Sequence, residues 1–238
     1  MEDPSVAQAL IMSHQAVSET GYRTAPLLDF VTRTIAREDS VLRAIRETTE
    51  AKGLPAISIG PDEGRLLHLL AAACGAKKIV EVGTLAGYSA CWLARALPKG
   101  GTLHTIEYDP KHAAVARENI ALAGLAEVVI VHTGAGSAVL PTLERHGPFD
   151  LVFIDADKTG YGDYARWAAS HVRSGGFVIC DNAYLFGNLH RDDLPPDHED
   201  APKVPAMRAA LRLLADETLF ASCAMIPTGE GMAVAVRR

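Results

Sequence analysis

The sequence contains few cysteines, no long apolar run and little clustered positive charge. Its four cysteines, Cys74, Cys91, Cys180 and Cys223, lie far apart in the chain. This spacing argues against a zinc knuckle or a disulfide framework and predicts reduced side chains in the core. No apolar run approaches the roughly 20 residues that cross a bilayer, and the opening Met-Glu-Asp-Pro does not resemble a signal peptide. We therefore expect a soluble, cytoplasmic protein with no membrane partner.

Basic residues are too few and too dispersed to suggest a nucleic-acid partner. The formal net charge is -6, and the densest basic cluster is the pair Lys77-Lys78, so the chain has little electrostatic attraction for a phosphate backbone. Its 238 residues, of which 48% are hydrophobic, suit a single α/β domain over residues 1–238. Residues 1–60 have a helical pattern and form a prefix to that domain.

Short apolar runs alternate with helical segments through the middle of the chain, which is typical of a parallel sheet with helices on both faces. The last two strand-like runs are separated only by Pro227-Thr228-Gly229-Glu230, which predicts an antiparallel hairpin. Asp62 is expected to cap a helix that continues through Leu70. The predicted strands are 78–82, 102–107, 128–132, 151–155, 177–181, 218–226 and 231–236, and the predicted helices between them are 88–97, 111–123, 137–146 and 161–171.

The segment from Val80 to Ser89 is a strand that ends in a glycine-bearing turn and leads into a helix. Ligands bind at this edge of parallel sheets. Gly83 and Gly87 would let the backbone approach a nucleoside, and Ser89 offers a hydroxyl near the helix start. Glu81 would repel a pyrophosphate but tolerate the cationic groups of S-adenosylmethionine. The alternatives are a plain tight turn for the glycines and a strand acid satisfied by backbone amides for Glu81.

A carboxylate, Glu107, ends the next strand, one strand-helix unit beyond the glycines. An acid at this place can accept hydrogen bonds from both hydroxyls of a ribose, and the alternative is a solvated strand-end acid. Asp109 is expected to cap the following helix, whose first turn contains Pro110. Because the Gly-x-Gly-x-x-Gly pattern of dinucleotide sites is missing after Val82, a ligand without phosphates fits better than a nicotinamide dinucleotide.

Three oxygen-bearing side chains follow two later strands. Asp155 ends one predicted strand, and Asp181 and Asn182 end the next. If the two strands are neighbours, the three side chains converge on a site suited to Mg²⁺, Mn²⁺ or Ca²⁺ rather than to zinc. Taken singly, each of these residues is as well explained as a helix cap or a turn residue. The nine histidines are scattered, and we expect most to be surface or packing residues.

These segments together resemble the cation-dependent O-methyltransferases of the caffeoyl-coenzyme A and catechol type. The likeness covers most of the chain and is carried by Pro-Asp-Glu-Gly at 61–64, Glu-Val-Gly-Thr-Leu-Ala-Gly-Tyr-Ser at 81–89, Ile-Glu-Tyr-Asp at 106–109, Phe-Ile-Asp-Ala-Asp-Lys at 153–158 and Asp-Asn at 181–182. It implies an α/β, Rossmann-like class I methyltransferase fold: a seven-stranded, mostly parallel sheet with an antiparallel C-terminal hairpin and helices on both faces. It also implies a homodimer, and a prefix over residues 1–60 that contributes to the acceptor site or to dimer contacts.

The resemblance also implies the function, namely S-adenosylmethionine-dependent methylation of one hydroxyl of a small aromatic vicinal diol. A divalent cation would assist, Mg²⁺ in the first place and otherwise Mn²⁺ or Ca²⁺. Residues 134–138 read Gly-Ala-Gly-Ser-Ala where many members have Gly-Asp-Ala, so backbone amides would replace a side-chain contact to the adenine. The implied cofactor-binding residues are Glu81, Gly83, Ser89, Glu107, Ala135, Gly136, Ser137 and Asp155; the implied metal ligands are Asp155, Asp181 and Asn182; and the implied catalytic residues are Lys158 and Asp155.

Three other functions stay open at this point: a transfer-RNA hydroxyuridine O-methyltransferase of the same fold, an NAD-dependent oxidoreductase, and a non-catalytic nucleoside-binding dimer. The acidic balance argues against the first and the glycine spacing against the second. Lys158 has the alternative of pairing with Asp157. Tyr184, Leu185 and Phe186 stand where plant members carry a tryptophan-bearing stretch, so they either line an aromatic pocket or simply pack, and the identity of the acceptor does not carry over.

Overall fold

The computed structural model describes residues 24–238, and the expectations for residues 1–23 lie outside this range. Seven strands run through the described chain: β1 (Lys78–Val82), β2 (Thr102–Glu107), β3 (Val129–Thr133), β4 (Phe149–Ile154), β5 (Val172–Cys180), β6 (Phe220–Ile226) and β7 (Met232–Arg237). They form one sheet in the order β3-β2-β1-β4-β5-β7-β6. Strands β1 to β5 are parallel, and β7 pairs antiparallel with both β5 and β6. The predicted α/β fold with its terminal hairpin is confirmed.

Helices cover both faces of this sheet. They are α1 (Ala25–Thr34), α2 (Ser40–Ala51), α3 (Pro61–Ala73), α4 (Tyr88–Ala94), α5 (Pro110–Leu122), α6 (Gly136–Leu143), α7 (Tyr161–His171) and α8 (Lys203–Leu214). Residues of α2 to α5 pack with Ile79 and Phe153 on one face, and residues of α6 to α8 pack with Val80 and Ile154 on the other. Because both faces of β1 and β4 are covered, consecutive residues of these strands are apolar, namely Ile79 and Val80 in β1 and residues 151–154 in β4. None of the helices described is long and apolar enough to span a membrane.

Three expectations need correction. Strand β5 begins at Val172, five residues before the predicted start, because Val172 pairs with Phe149 across an irregularity in the register. Helix α3 is capped by Gly60 rather than by Asp62, and the Glu63 carboxylate accepts from the Gly60 N–H at 2.7 Å. Cys223 is exposed on the edge strand β6, where no helix covers the sheet.

Asp150 lies at the start of β4, at the edge of the sheet opposite the ligand-binding edge. Its side chain contacts both neighbouring strands, β1 and β5. Its Oδ2 accepts from the backbone N–H groups of Lys77 and Lys78 at 2.7 and 2.8 Å. Its Oδ1 accepts from Arg173 Nε at 2.5 Å. These donors hold the pKa of Asp150 below its usual value despite the opposing effect of burial. Asp150 therefore ties β1, β4 and β5 together.

Three of the histidines form a cluster near the β3 edge of the sheet. His104 Nδ1 and His132 Nε2 are 3.0 Å apart, so one ring donates a hydrogen bond to the other. The His146 ring lies 4.9 Å from the His104 ring, centroid to centroid. His104 is only 5% exposed, and burial, followed by the charges of His132, His146 and Lys78, lowers its pKa to about 4. His104 is therefore uncharged at neutral pH.

Candidate active site

A cavity of about 940 Å³ lies at the carboxyl ends of β1 to β5. Parallel strands place their terminal loops at one edge of a sheet, which is where ligands of such folds bind. The site residues implied by the family resemblance line this cavity with the exception of Glu81, and Gly87, the second glycine expected to approach the nucleoside, is not in the wall either. The predicted residues in its wall are Gly83, Ser89, Glu107, Ala135, Gly136, Ser137, Asp155, Lys158, Asp181 and Asn182.

The turn after β1 passes directly against the end of β4. Gly83 has a φ of +100°, and a Cβ at this position would lie 1.9 Å from the carbonyl oxygen of Asp155. Gly87, with a φ of +86°, is the N-cap of α4. Both glycines are thus required by local geometry, and Gly83 is required in addition by the close approach of two loops that carry predicted site residues.

Glu107 closes this turn through its carboxylate. Oε2 accepts from the N–H groups of Thr84 and Leu85 at 3.2 and 2.7 Å, and Oε1 accepts from the N–H of Asp109 at 2.9 Å. A carboxylate has about four lone-pair sites, so Glu107 keeps capacity for one further donor from the cavity. Asp109 caps α5 as predicted, accepting from Lys111 N–H at 2.7 Å.

Glu81 lies behind the cavity wall and is fully buried. Its Oε2 accepts from the Thr105 hydroxyl at 2.6 Å, whereas Oε1 has no partner among the described residues. Burial raises the pKa of Glu81 to about 7, and the nearby hydroxyls of Ser89 and Thr105 oppose the shift. A cofactor contact by Glu81 stays a prediction, since Glu81 does not line the cavity.

Lys158 is held by two groups at the other end of the cavity. Its Nζ lies 3.0 Å from Asp155 Oδ1 and 2.7 Å from the Tyr161 hydroxyl oxygen. Asp157, the alternative partner, instead accepts from the Tyr164 hydroxyl at 2.6 Å. Lys158 is therefore paired with a predicted metal ligand and not with Asp157.

Asp181 directly follows β5, next to the end of β4, which leads into Asp155. It is 2% exposed, and its Oδ1 has no partner among the described residues. Burial, and after it the charge of Asp155, raise the pKa of Asp181 to about 8. Residues 24–238 hold no group of three or more histidine, cysteine, aspartate or glutamate side chains placed to bind a metal ion. The predicted set comprises two carboxylates and the amide of Asn182, and an orphaned carboxylate oxygen beside a second carboxylate suits a cation.

Several cavity residues were missed by reasoning from the sequence. Ile57, Ser58, Lys203 and Glu230 line the cavity but belong to no motif and lie far in sequence from the predicted site. Glu230 was expected only as part of a connector. Only the shortness of the predicted hairpin turn could have indicated its position, because a turn before a strand antiparallel to β5 lies at the same sheet edge as the end of β5.

The comparisons with known proteins agree with this geometry. The sequence profile of the O-methyltransferase family matches residues 32–238. The chain is 43% identical to a catechol O-methyltransferase of Niastella koreensis, over 87% of this chain and 94% of that protein. It is 41% identical to a catechol O-methyltransferase of Mycobacterium tuberculosis, over 75% of this chain and 79% of that protein.

Solved structures give the same result. An O-methyltransferase from Bacillus cereus in complex with SAH superposes with a TM-score of 0.81 at 36% identity, covering 88% of this chain and 96% of that one. The O-methyltransferase TomG from Streptomyces achromogenes in complex with SAM superposes with a TM-score of 0.80 at 35% identity, covering 87% and 94%. The oxidoreductase and the non-catalytic alternatives are thereby removed. The chain belongs to the O-methyltransferase family and is an S-adenosylmethionine-dependent enzyme of the catechol and caffeoyl-coenzyme A type.

Proposed function

We propose that this enzyme methylates one hydroxyl of a small aromatic vicinal diol and requires a divalent cation to do so. The observation that carries the proposal is the pair of carboxylates at neighbouring strand ends, Asp155 and Asp181, with the orphaned Oδ1 of Asp181 buried in the same cavity wall. A hydroxyl pair on adjacent ring carbons supplies two oxygens that can reach one ion, and Asp155, Asp181 and Asn182 would hold that ion. Two of the named relatives are catechol O-methyltransferases.

A bound divalent cation would supply positive charge that fixes the two oxygens and lowers the pKa of the hydroxyl that reacts. The protein would place that oxygen in line with the bond between the methyl group and the sulfur of S-adenosylmethionine. Orientation of this kind provides a large share of the rate gain. Lys158 is the candidate to receive the hydroxyl proton or to stabilise the oxyanion. Its contacts with Asp155 and Tyr161 hold its Nζ beside a proposed cation ligand, which supports this role.

The cofactor would occupy the end of the cavity formed by the turns after β1, β2 and β3. Gly83 and Ser89 would contact its amino-acid portion, and Glu107, fixed by three backbone N–H groups, would accept from the ribose. The backbone at Gly136 would meet the adenine. A Cβ at Gly136 would lie 2.9 Å from the Tyr164 ring, so this glycine keeps the adenine-side loop close to α7.

A methylation assay tests the proposal. With S-adenosylmethionine and Mg²⁺ we expect turnover of catechol, loss of turnover in strong chelator, and recovery on adding Mg²⁺ or Mn²⁺. Phenol, which offers one oxygen, should be almost inert, because the ion can then neither orient the acceptor nor acidify it. Undiminished turnover in exhaustively chelated enzyme, or comparable kcat/KM values for catechol and phenol, would contradict the proposal. Asp181→Asn, which removes the charge of a proposed cation ligand, should lose this turnover. Asp163→Asn, which makes the same change at an exposed position on α7, should retain it.

A further inference from the structure

The connection between α1 and α2 contacts both ends of the helix that follows the turn after β1. Asp39 Oδ2 lies 2.9 Å from Arg95 Nη2, at the C-cap of α4. Glu38 Oε1 accepts from the Tyr88 hydroxyl at 2.8 Å, and Tyr88 is the first residue of α4. Both acids belong to the helical prefix, residues 1–60. Glu38 thus contacts the end of α4 that adjoins the cavity, and Asp39 contacts the opposite end.

Tyr88 is a buried part of the cavity wall. It lines the active-site cavity together with Ser89, yet only 2% of its surface is exposed. Its ring meets the Trp92 ring edge to face, with 6.4 Å between the centroids. Trp92 packs tightly against α3, because a Cβ at Gly64 would lie 2.3 Å from its ring. The Tyr88 ring therefore has close packing behind it, and a shift of this ring would change the wall beside Ser89.

The Tyr88 hydroxyl needs an acceptor because it is buried. Burial raises the pKa of Tyr88 above its usual value, so the hydroxyl keeps its proton and donates to Glu38. Two arginines of α2 hold Glu38 in place: Arg43 Nη1 donates to its carbonyl oxygen at 2.6 Å, and Arg46 Nη1 lies 3.5 Å from the same Oε1. The Glu38 side chain is only 14% exposed. A buried donor that loses its acceptor costs free energy, so without Glu38 the ring would move toward another acceptor.

We propose that Glu38 is a positioning residue for S-adenosylmethionine binding and acts by holding the Tyr88 ring in the cavity wall beside Ser89. The hydroxyl of Tyr88 makes this part of the wall depend on the prefix, because a ring without a hydroxyl would pack in the same way and need no acceptor. The prefix would thereby support cofactor binding, in addition to the acceptor-site or dimer role that the resemblance implies. The inference rests on the part of the proposed function that places the amino-acid portion of the cofactor at Gly83 and Ser89, and it requires neither the cation nor the diol.

Calorimetric titration with S-adenosylmethionine tests the inference in the wild type, Glu38→Ala, Tyr88→Phe and the double variant. Glu38→Ala should weaken binding about tenfold, because it leaves the buried hydroxyl without its acceptor. Tyr88→Phe should weaken binding less, since it removes the donor together with the hydrogen bond. The double variant should bind as Tyr88→Phe does, because no hydroxyl then lacks an acceptor. Tyr88→Phe should thus restore the affinity that Glu38→Ala loses, and a double variant as weak as Glu38→Ala would overturn the inference.

Two further variants separate positioning from stability and from the placement of the cofactor. Asp39→Ala breaks the contact with the other end of α4 and removes the N-cap of α2, so it should lower the free energy of unfolding and keep the affinity within about twofold. Ser89→Ala should weaken binding. A loss of affinity in Ser89→Ala without one in Glu38→Ala, or an equal loss in Glu38→Ala and Asp39→Ala, would overturn the inference alone. Unchanged affinity in Ser89→Ala would overturn the proposed placement of the cofactor and the inference with it.

Discussion

Acid should destabilise the protein through His104. An unfolded histidine has a pKa near 6.5, whereas burial lowers that of His104 to about 4, so between these values the unfolded chain binds a proton that the folded chain does not. The contribution of neutral His104 to the free energy of unfolding is therefore fully present above pH 6.5, and it is lost progressively as the pH drops toward 4. The neighbouring basic groups all disfavour a positive charge on the cluster. Lys78 and His146 act on His104, and His146 and Arg117 act on His132. From pH 8 to pH 5 the loss from His104 comes to about 2 kcal/mol.

The variant His104→Asn isolates this effect. An asparagine amide can take the place of Nδ1 and still bond to His132 Nε2, but it does not titrate. Urea unfolding followed by tryptophan fluorescence at pH 8 and pH 5 gives the free energies of unfolding. We expect the variant to lose about 2 kcal/mol less than the wild type over this interval. Other groups titrate in both proteins and cancel in the difference.

His190→Asn provides the matched control, because His190 is exposed in the segment between β5 and α8 and lies outside the cluster. This variant should keep the pH dependence of the wild type. The reasoning is refuted if His104→Asn loses as much stability between pH 8 and pH 5 as the wild type does.

Three further predictions follow from other sites. Glu107→Gln should weaken S-adenosylmethionine binding by about 1.5–3 kcal/mol, the range for hydrogen bonds to charged groups; an unchanged affinity by calorimetry would show that Glu107 does not bind the ribose. Asp181→Ala should abolish catechol methylation and leave cofactor affinity largely intact, and an equal loss of both would indicate a structural role. Asp150→Asn should lower the free energy of unfolding by about 2–4 kcal/mol, since three donors lose a charged acceptor. Denaturation of Asp163→Asn, a surface control, should show a change under about 0.5 kcal/mol.

The sheet, and the residues that line the cavity at the ends of its parallel strands, were largely predictable from the sequence. Strands β1 and β2 match their predicted bounds because each is a short strand-like segment with a glycine close to one of its ends, Gly83 after β1 and Gly101 before β2. Glu107 and Asp181 were found because a carboxylate at the end of a buried strand must point into the ligand-binding edge of a parallel sheet. These signals are local in the sequence, and the order of the strands in the sheet brings the residues together in one cavity.

The features that the sequence did not predict depend on contacts between distant segments. The three histidines of the cluster come from separate segments: His104 and His132 lie on the paired strands β2 and β3, and His146 lies in the short 3-10 helix that precedes β4. Glu230 reaches the cavity through the position of the hairpin turn against α3 and the segment after β5. No periodicity or motif marks these residues in the sequence, and a single sequence predicts structure only through such local patterns.

The contact between Gly83 and Asp155 leaves no room for a side chain between two loops of the cavity wall. A Cβ at residue 83 would lie 1.9 Å from the carbonyl oxygen of Asp155, which is far inside van der Waals contact. The turn after β1 and the end of β4 would therefore have to separate to admit even a methyl group. The absence of one side chain thus sets the spacing between two strand ends, and a substitution at this single position would disturb the cavity wall on both sides at once.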